Sequence, residues 1–110
     1  MRICRNGKVL VKDAEFCRNP FGLMFRELKK GSAIILKVAY EGVLSSAIHM
    51  LFVFYPIDVV WLNSNKIVVD KKTVNPFILY SAPRKPAKYI VEMRKGFAKN
   101  IKIGDKLLFL

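Results

Sequence analysis

Arg2-Ile3-Cys4-Arg5-Asn6-Gly7-Lys8-Val9-Leu10-Val11-Lys12 opens the chain as two short runs joined by Asn-Gly. A type I′ turn requires positive φ at both central residues, which Asn-Gly supplies readily, so the stretch predicts a β-hairpin. The same kind of punctuation recurs further along. Ile57 to Leu62 is followed by Asn63-Ser64-Asn65 and then by Lys66 to Val74, which predicts a second hairpin. Ala33 to Ala39 is β-branched and apolar enough for a buried strand, with a turn at Tyr40-Glu41-Gly42. Glu15-Phe16-Cys17 extends the sheet, Lys88 to Met93 reads as a strand, and Ile103-Gly104-Asp105-Lys106 turns into a closing strand, Leu107 to Leu110. Ala47 to Phe54 is a further apolar run, which reads as a strand around His49 and is cut from Ile57 at Tyr55-Pro56, where a proline belongs at a strand edge, bulge or bend.

Two segments carry helical signals instead. Asn19-Pro20 has the form of an N-cap followed by a first-turn proline, and Phe21, Met24, Phe25 and Leu28 then recur at the spacing of one helical face. Lys29-Lys30-Gly31-Ser32 ends that helix, and Arg94 to Asn100 reads as a second, shorter one. Three of the five prolines, Pro76, Pro83 and Pro86, frame Phe77 to Tyr80 as an irregular connection. The expectation is one domain spanning residues 1–110, mainly β, a compact antiparallel β-sandwich or squat barrel with two short helices at its margins.

Charge is the least ordinary property of the chain. Twenty Lys and Arg stand against eight Asp and Glu, for a net charge of +12. Lys37 is the only basic residue between 31 and 65, so the two ends supply the charge around an apolar middle. The run from Ala47 to Trp61 is interrupted by Pro56 and Asp58 before it reaches the length of a spanning helix, so no transmembrane segment is expected. The first eight residues place cations where a signal peptide needs its apolar region, and a cytoplasmic location is the expectation. Cys4 and Cys17 are too few for a disulfide framework and are expected as thiols.

Three segments in this order resemble a known family: Gly22-Leu23-Met24-Phe25-Arg26; Met50 through Pro56-Ile57-Asp58-Val59-Val60; and Tyr89-Ile90-Val91-Glu92 followed by Gly96 and by Ile103-Gly104-Asp105. Together they look like the domain of unknown function 192 family, also catalogued as uncharacterised protein family 0127. The resemblance spans roughly residues 15 to 110 and implies a jelly-roll-related β-sandwich with marginal helices and no established activity. Many bacterial members carry a Trp-Met-Lys-Asn-Thr-like stretch where this chain has His49-Met50-Leu51-Phe52-Val53. Many relatives also carry export signals, which this chain is expected to lack.

Asp58 stands among apolar residues, where a carboxylate either serves as a base or cation ligand or accepts hydrogen bonds from Arg26 or from backbone near Pro56. Arg26, near a helix C-terminus, suits either a pairing with Asp58 or Glu92 or a ligand carboxylate or phosphate. His49 is the only histidine, and with two scattered cysteines it lacks the spacing of a zinc site, so no metal is expected. The dispersed glycines form no phosphate cradle, and no cofactor is expected. Lys71, Lys72, Arg84, Lys85, Lys88, Arg94 and Lys95 are the candidates for a polyanion surface, with nearby aromatics to stack bases. The leading expectation is a non-catalytic small-ligand-binding or interaction domain with its site near Arg26, His49, Asp58 and the Pro83 to Pro86 loop. The alternatives are a nucleic-acid-associated basic protein and an enzyme of unrecognised type using Asp58.

Overall fold

The computed structural model describes residues 1–17 and 27–110, which hold eight strands and no helix. These are β1 (Ile3–Arg5), β2 (Lys8–Val11), β3 (Asp13–Phe16), β4 (Ser32–Gly42), β5 (Ile57–Leu62), β6 (Val68–Val74), β7 (Ala87–Arg94) and β8 (Leu108–Phe109). They form a three-stranded sheet of order β2-β1-β8 and a five-stranded sheet of order β3-β4-β7-β5-β6, both open, so the chain is mainly β but not a barrel. Asn6 and Gly7 take φ of 52° and 79°, the pair of positive values that the opening hairpin asks for. β5 and β6 pair antiparallel from Ile57↔Val74 to Leu62↔Val68, as the second hairpin required.

Besides carrying β4 on through the turn expected at Tyr40-Glu41-Gly42, the structure corrects the sequence reading in three places. First, β3 runs parallel to β4, from Asp13↔Ser32 to Phe16↔Ile35, so the sheet is not wholly antiparallel. Residues 17–31 separate the two strands, which is the length a parallel crossover needs. Second, Arg94 to Asn100 is a succession of turns, not a helix. Gly96 sits at φ +95°, outside the right-handed helical region, and Phe97 N–H to Arg94 O (3.2 Å) and Ile101 N–H to Ala98 O (3.0 Å) close separate tight turns. The other expected helix, from Asn19-Pro20 to Leu28, lies outside the described residues except at Glu27 and Leu28, which are not helical.

Third, Ala47 to Phe54 is no strand beyond one isolated bridge, Ile48↔Ser81. It lies over the larger sheet as a covering loop. That sheet is buried on both faces, because side chains alternate along its strands and each face has its own cluster. Ala33, Ile35, Val60, Leu62, Val91 and Met93 meet Ile3 and Val11 of the smaller sheet, with Ala98, Ile101 and Leu107 completing the cluster. Ile34, Ile57, Val59, Trp61 and Ile90 point the other way and pack under Leu28, Met50 and Val53. β5 is consequently buried at all six positions. Trp61 Nε1 donates to Ser46 O at 2.8 Å, which ties the covering loop to the central strand. Burying Met50 and Val53 contributes roughly 2 kcal/mol each and offsets the cost of Phe52 at φ 57°.

Candidate functional site

Asp58 shares the face of Val60 and Leu62 on β5 and is 6% exposed. Its Oδ1 accepts from Thr73 Oγ1 at 2.8 Å, across the β5–β6 pairing. Its Oδ2 accepts from the backbone N–H groups of Gly96 (2.9 Å) and Ala98 (3.1 Å). The backbone hydrogen bonds therefore come from the turn after β7 and not from the bend after Pro56. Glu92 is on the opposite face, since it pairs with Val59, and Arg26 lies outside the described residues.

By holding the 94–100 turn against β5 and β6, Asp58 creates a basin of about 310 Å³ lined by Lys71, Lys72, Thr73, Lys95, Gly96, Lys99 and itself. Lys71 shares its face of β6 with Thr73, and its ammonium donates to Ala98 O (3.1 Å) and Ile101 O (2.7 Å). One of its three N–H donors remains. Lys72 forms part of the wall, but its ammonium is bound to Ala82 O and lies 5.6 Å from the Trp61 ring centroid. Lys95 and Lys99 are exposed, with no hydrogen bond or ion pair among the described residues. The basin thus holds three available cationic side chains around one carboxylate whose oxygens already accept three hydrogen bonds.

The remaining candidates lie elsewhere. His49 is exposed, in the covering loop rather than in a strand, and its Nδ1 accepts from Leu51 N–H at 3.2 Å. Arg84 donates through Nε (3.3 Å) and Nη2 (3.0 Å) to Asp70 Oδ1, and its backbone N–H donates to Oδ2 (2.9 Å). That carboxylate fastens the proline-framed loop to β6. Lys88 donates to Ala39 O at 2.8 Å near the far end of β4, and Lys85 is exposed. Arg94 donates to Leu28 O at 3.2 Å and stacks 4.4 Å over the Tyr55 ring. Of the residues singled out in the sequence, Asp58, Lys71, Lys72 and Lys95 come together. Thr73 was not among them, although alternation along Lys71-Lys72-Thr73 places it beside Lys71.

Two more buried carboxyl groups shape the electrostatics. Burial alone would raise the Asp70 carboxyl, but hydrogen bonds from the Arg84 side chain and backbone and from Lys71 N–H outweigh it and hold the pKa below its ordinary value. Glu92 lies on β7 between Ile34 and Val59, and burial pushes its carboxyl up to about 7. Among the described residues no group of three His, Cys, Asp or Glu is placed to hold a metal ion. Cys4 is a buried thiol, and no bridge joins it to Cys17. No described helix is long and apolar enough to cross a membrane.

In solved structures, the chain is similar to a protein of unknown function from Novosphingobium aromaticivorans, with a TM-score of 0.83 at 21% identity over 98% of this chain and 82% of that one. It is also similar to a putative transcription regulator from Sinorhizobium meliloti, with a TM-score of 0.75 at 19% identity, covering 86% of this chain and 79% of that one. At these identities the likeness concerns the fold. In sequence it is 39% identical over 103 residues to a UPF0127 protein of Pyrococcus abyssi, covering 92% of this chain and 85% of that protein. A UPF0127 protein of Pyrococcus furiosus is 40% identical over 94 residues, covering 84% of this chain and 78% of that one. The family model for DUF192, described as Uncharacterized ACR, matches residues 5–109, and the chain belongs to that family.

Proposed function

We propose that the chain is one non-catalytic binding domain on a two-sheet β-sandwich scaffold, and that its ligand is a small anion carrying phosphate or clustered carboxylates. The observation that carries this reading is the convergence of Lys71, Lys95 and Lys99 on the basin beneath which Asp58 already accepts three hydrogen bonds. A basin of about 310 Å³ is at the lower end of the size range of small-ligand sites. Ammonium groups arranged around it attract anions, and the Thr73 hydroxyl adds a neutral hydrogen-bonding group at the rim. Asp58 is poorly suited to act as a base, because taking a proton would weaken the hydrogen bonds that hold the turn. That weighs against an enzyme built on Asp58.

The test is calorimetric titration with inorganic phosphate and tripolyphosphate. The wild type should bind tripolyphosphate with an affinity that falls as salt rises, and Lys95→Glu combined with Lys99→Glu should reduce that affinity by roughly tenfold or more. Both positions are exposed, so the variant should keep its fold. No binding by the wild type, or equal binding by the variant, would reject the reading.

A nucleic-acid-associated role has one observation in its favour: Asp58, Asp70 and Glu92, the only acidic residues between Glu41 and Asp105, are all buried. Against it, six of the seven expected polyanion contacts are divided among the basin, the Asp70 ion pair, the far end of β4 and the Tyr55 ring, and only Lys85 stands exposed outside these places. Affinity for single-stranded RNA that falls steeply with salt and is weakened by Lys71, Arg84 or Lys95 replacement would favour it over the small-anion reading.

A further inference from the structure

Two loops beside the larger sheet present apolar side chains to solvent. Phe54 is 62% exposed, Phe77 49%, Leu79 72% and Tyr80 59%. The loops are laced together by backbone hydrogen bonds. Ile48 and Ser81 exchange N–H to O bonds of 2.8 and 2.9 Å, Met50 N–H donates to Ile78 O at 2.6 Å, and Phe77 N–H donates to Met50 O at 3.0 Å. The Phe54 and Phe77 rings meet edge to face at 5.4 Å. Phe77 holds φ 64°, a left-handed conformation that bulky residues avoid, so its position is maintained against local preference. These are fixed apolar tips, and contiguous exposed patches of this kind mark contact surfaces.

Charge identifies what they contact. Because Asp58, Asp70 and Glu92 are 6%, 0% and 5% exposed, the surface supplied by residues 42–104 presents cations without exposed carboxylates. Lys85 is exposed, and the Arg84 side chain stays 71% exposed while paired with Asp70; both follow Tyr80 within five residues. A second copy of this chain, itself at +12, would bring like charges together. Nucleic acid fits poorly, since Leu79 has no ring on which a base could stack and residues 75–81 contain no charge to meet phosphate. A bilayer accepts aliphatic and aromatic tips alike at its headgroup boundary, and anionic lipid attracts the flanking cations.

We propose that these paired loops dock the protein peripherally on an anionic lipid surface, with Phe54, Phe77, Leu79 and Tyr80 entering the headgroup boundary and Arg84 and Lys85 reading its charge. The site is separate from the lysine basin and does not depend on it.

Sedimentation of the full chain with vesicles tests this. Binding is expected to vesicles of phosphatidylcholine mixed with phosphatidylglycerol, roughly tenfold weaker to phosphatidylcholine alone, and weaker as salt is raised. Phe54→Ser combined with Leu79→Ser should lower vesicle binding by roughly tenfold while leaving tripolyphosphate binding unchanged. The Lys95→Glu, Lys99→Glu variant should lose the phosphate probe and retain most of its vesicle binding. Circular dichroism checks that each variant is folded. Failure of the wild type to bind the mixed vesicles overturns the proposal, as does binding undiminished by the Phe54, Leu79 change, which would mean bare adsorption of a cation. Two other results would reassign the tips and overturn it equally: self-association relieved by that change, or RNA binding abolished by it.

Discussion

Asp70 and Glu92 both carry buried carboxyl groups, and their surroundings drive them in opposite directions. Asp70 gathers donors from Arg84 and from Lys71 N–H and stays ionised, so the stability it contributes is present above the ordinary aspartate pKa and lost as pH falls through its depressed one. Glu92 lies between Ile34 and Val59 and rises from 4.5 to about 7. Its unfolded form ionises first as pH increases, so the folded state loses stability between the two values and no more above them. A shift of this size corresponds to about 3 kcal/mol. Glu92→Gln removes the ionisation while keeping a neutral polar group of similar shape. Urea denaturation at about pH 5 and about pH 8 should show the wild type losing stability relative to this variant by roughly that amount. If the difference between the two proteins is the same at both pH values, Glu92 does not titrate as burial dictates.

At the scale of elements, the 94–100 turn depends on one carboxylate from a different strand. Asp58→Ala would leave the Gly96 and Ala98 N–H groups without their acceptor, and Ala98 is fully buried. The expected cost is about 3 kcal/mol, against about 1 kcal/mol for Asp58→Asn, which keeps an oxygen acceptor. Hydrogen exchange at those two amides should accelerate sharply in the Ala variant and little in the Asn variant; equal protection in both would show that the turn holds itself. The strands and the Asn6-Gly7 hairpin were legible in the sequence because turn chemistry and alternation are local. The roles of Asp58 and of Ala47 to Phe54 were not. The first depends on two N–H groups some 40 residues away, and the second on a sheet that requires cover on both faces. Apolar residues suit a covering loop as well as a strand, so the run's composition could not separate the two. The parallel β3–β4 pairing was hidden for a related reason, since its partner lies beyond a crossover and not across a turn.

For the molecule as a whole, most of its cations must be balanced by solvent. Among the described residues the ion pairs are Arg5–Asp105 at 2.7 Å, Arg84–Asp70 at 3.0 Å and Lys72–Asp70 at 4.0 Å, and they leave the net +12 of the chain untouched. Salt acts on both sides of this balance. It screens the pairs, but Asp70 is buried and also held by backbone N–H groups, so that loss is small. It also screens repulsion among the exposed lysines and arginines, which the compact state holds closer together than the unfolded chain does. The second effect should dominate. At neutral pH the urea midpoint should rise as sodium chloride is raised from about 0.02 M to about 0.3 M, where the screening length contracts to well under 10 Å, with a gain on the order of 1 kcal/mol. A midpoint that falls over this range would mean that the few ion pairs outweigh the repulsion, and that the excess of cations is spread widely enough to cost the fold little. A rise confined to phosphate or sulfate at matched ionic strength, with chloride inert, would locate the repulsion in the Lys71, Lys95 and Lys99 basin rather than over the surface at large.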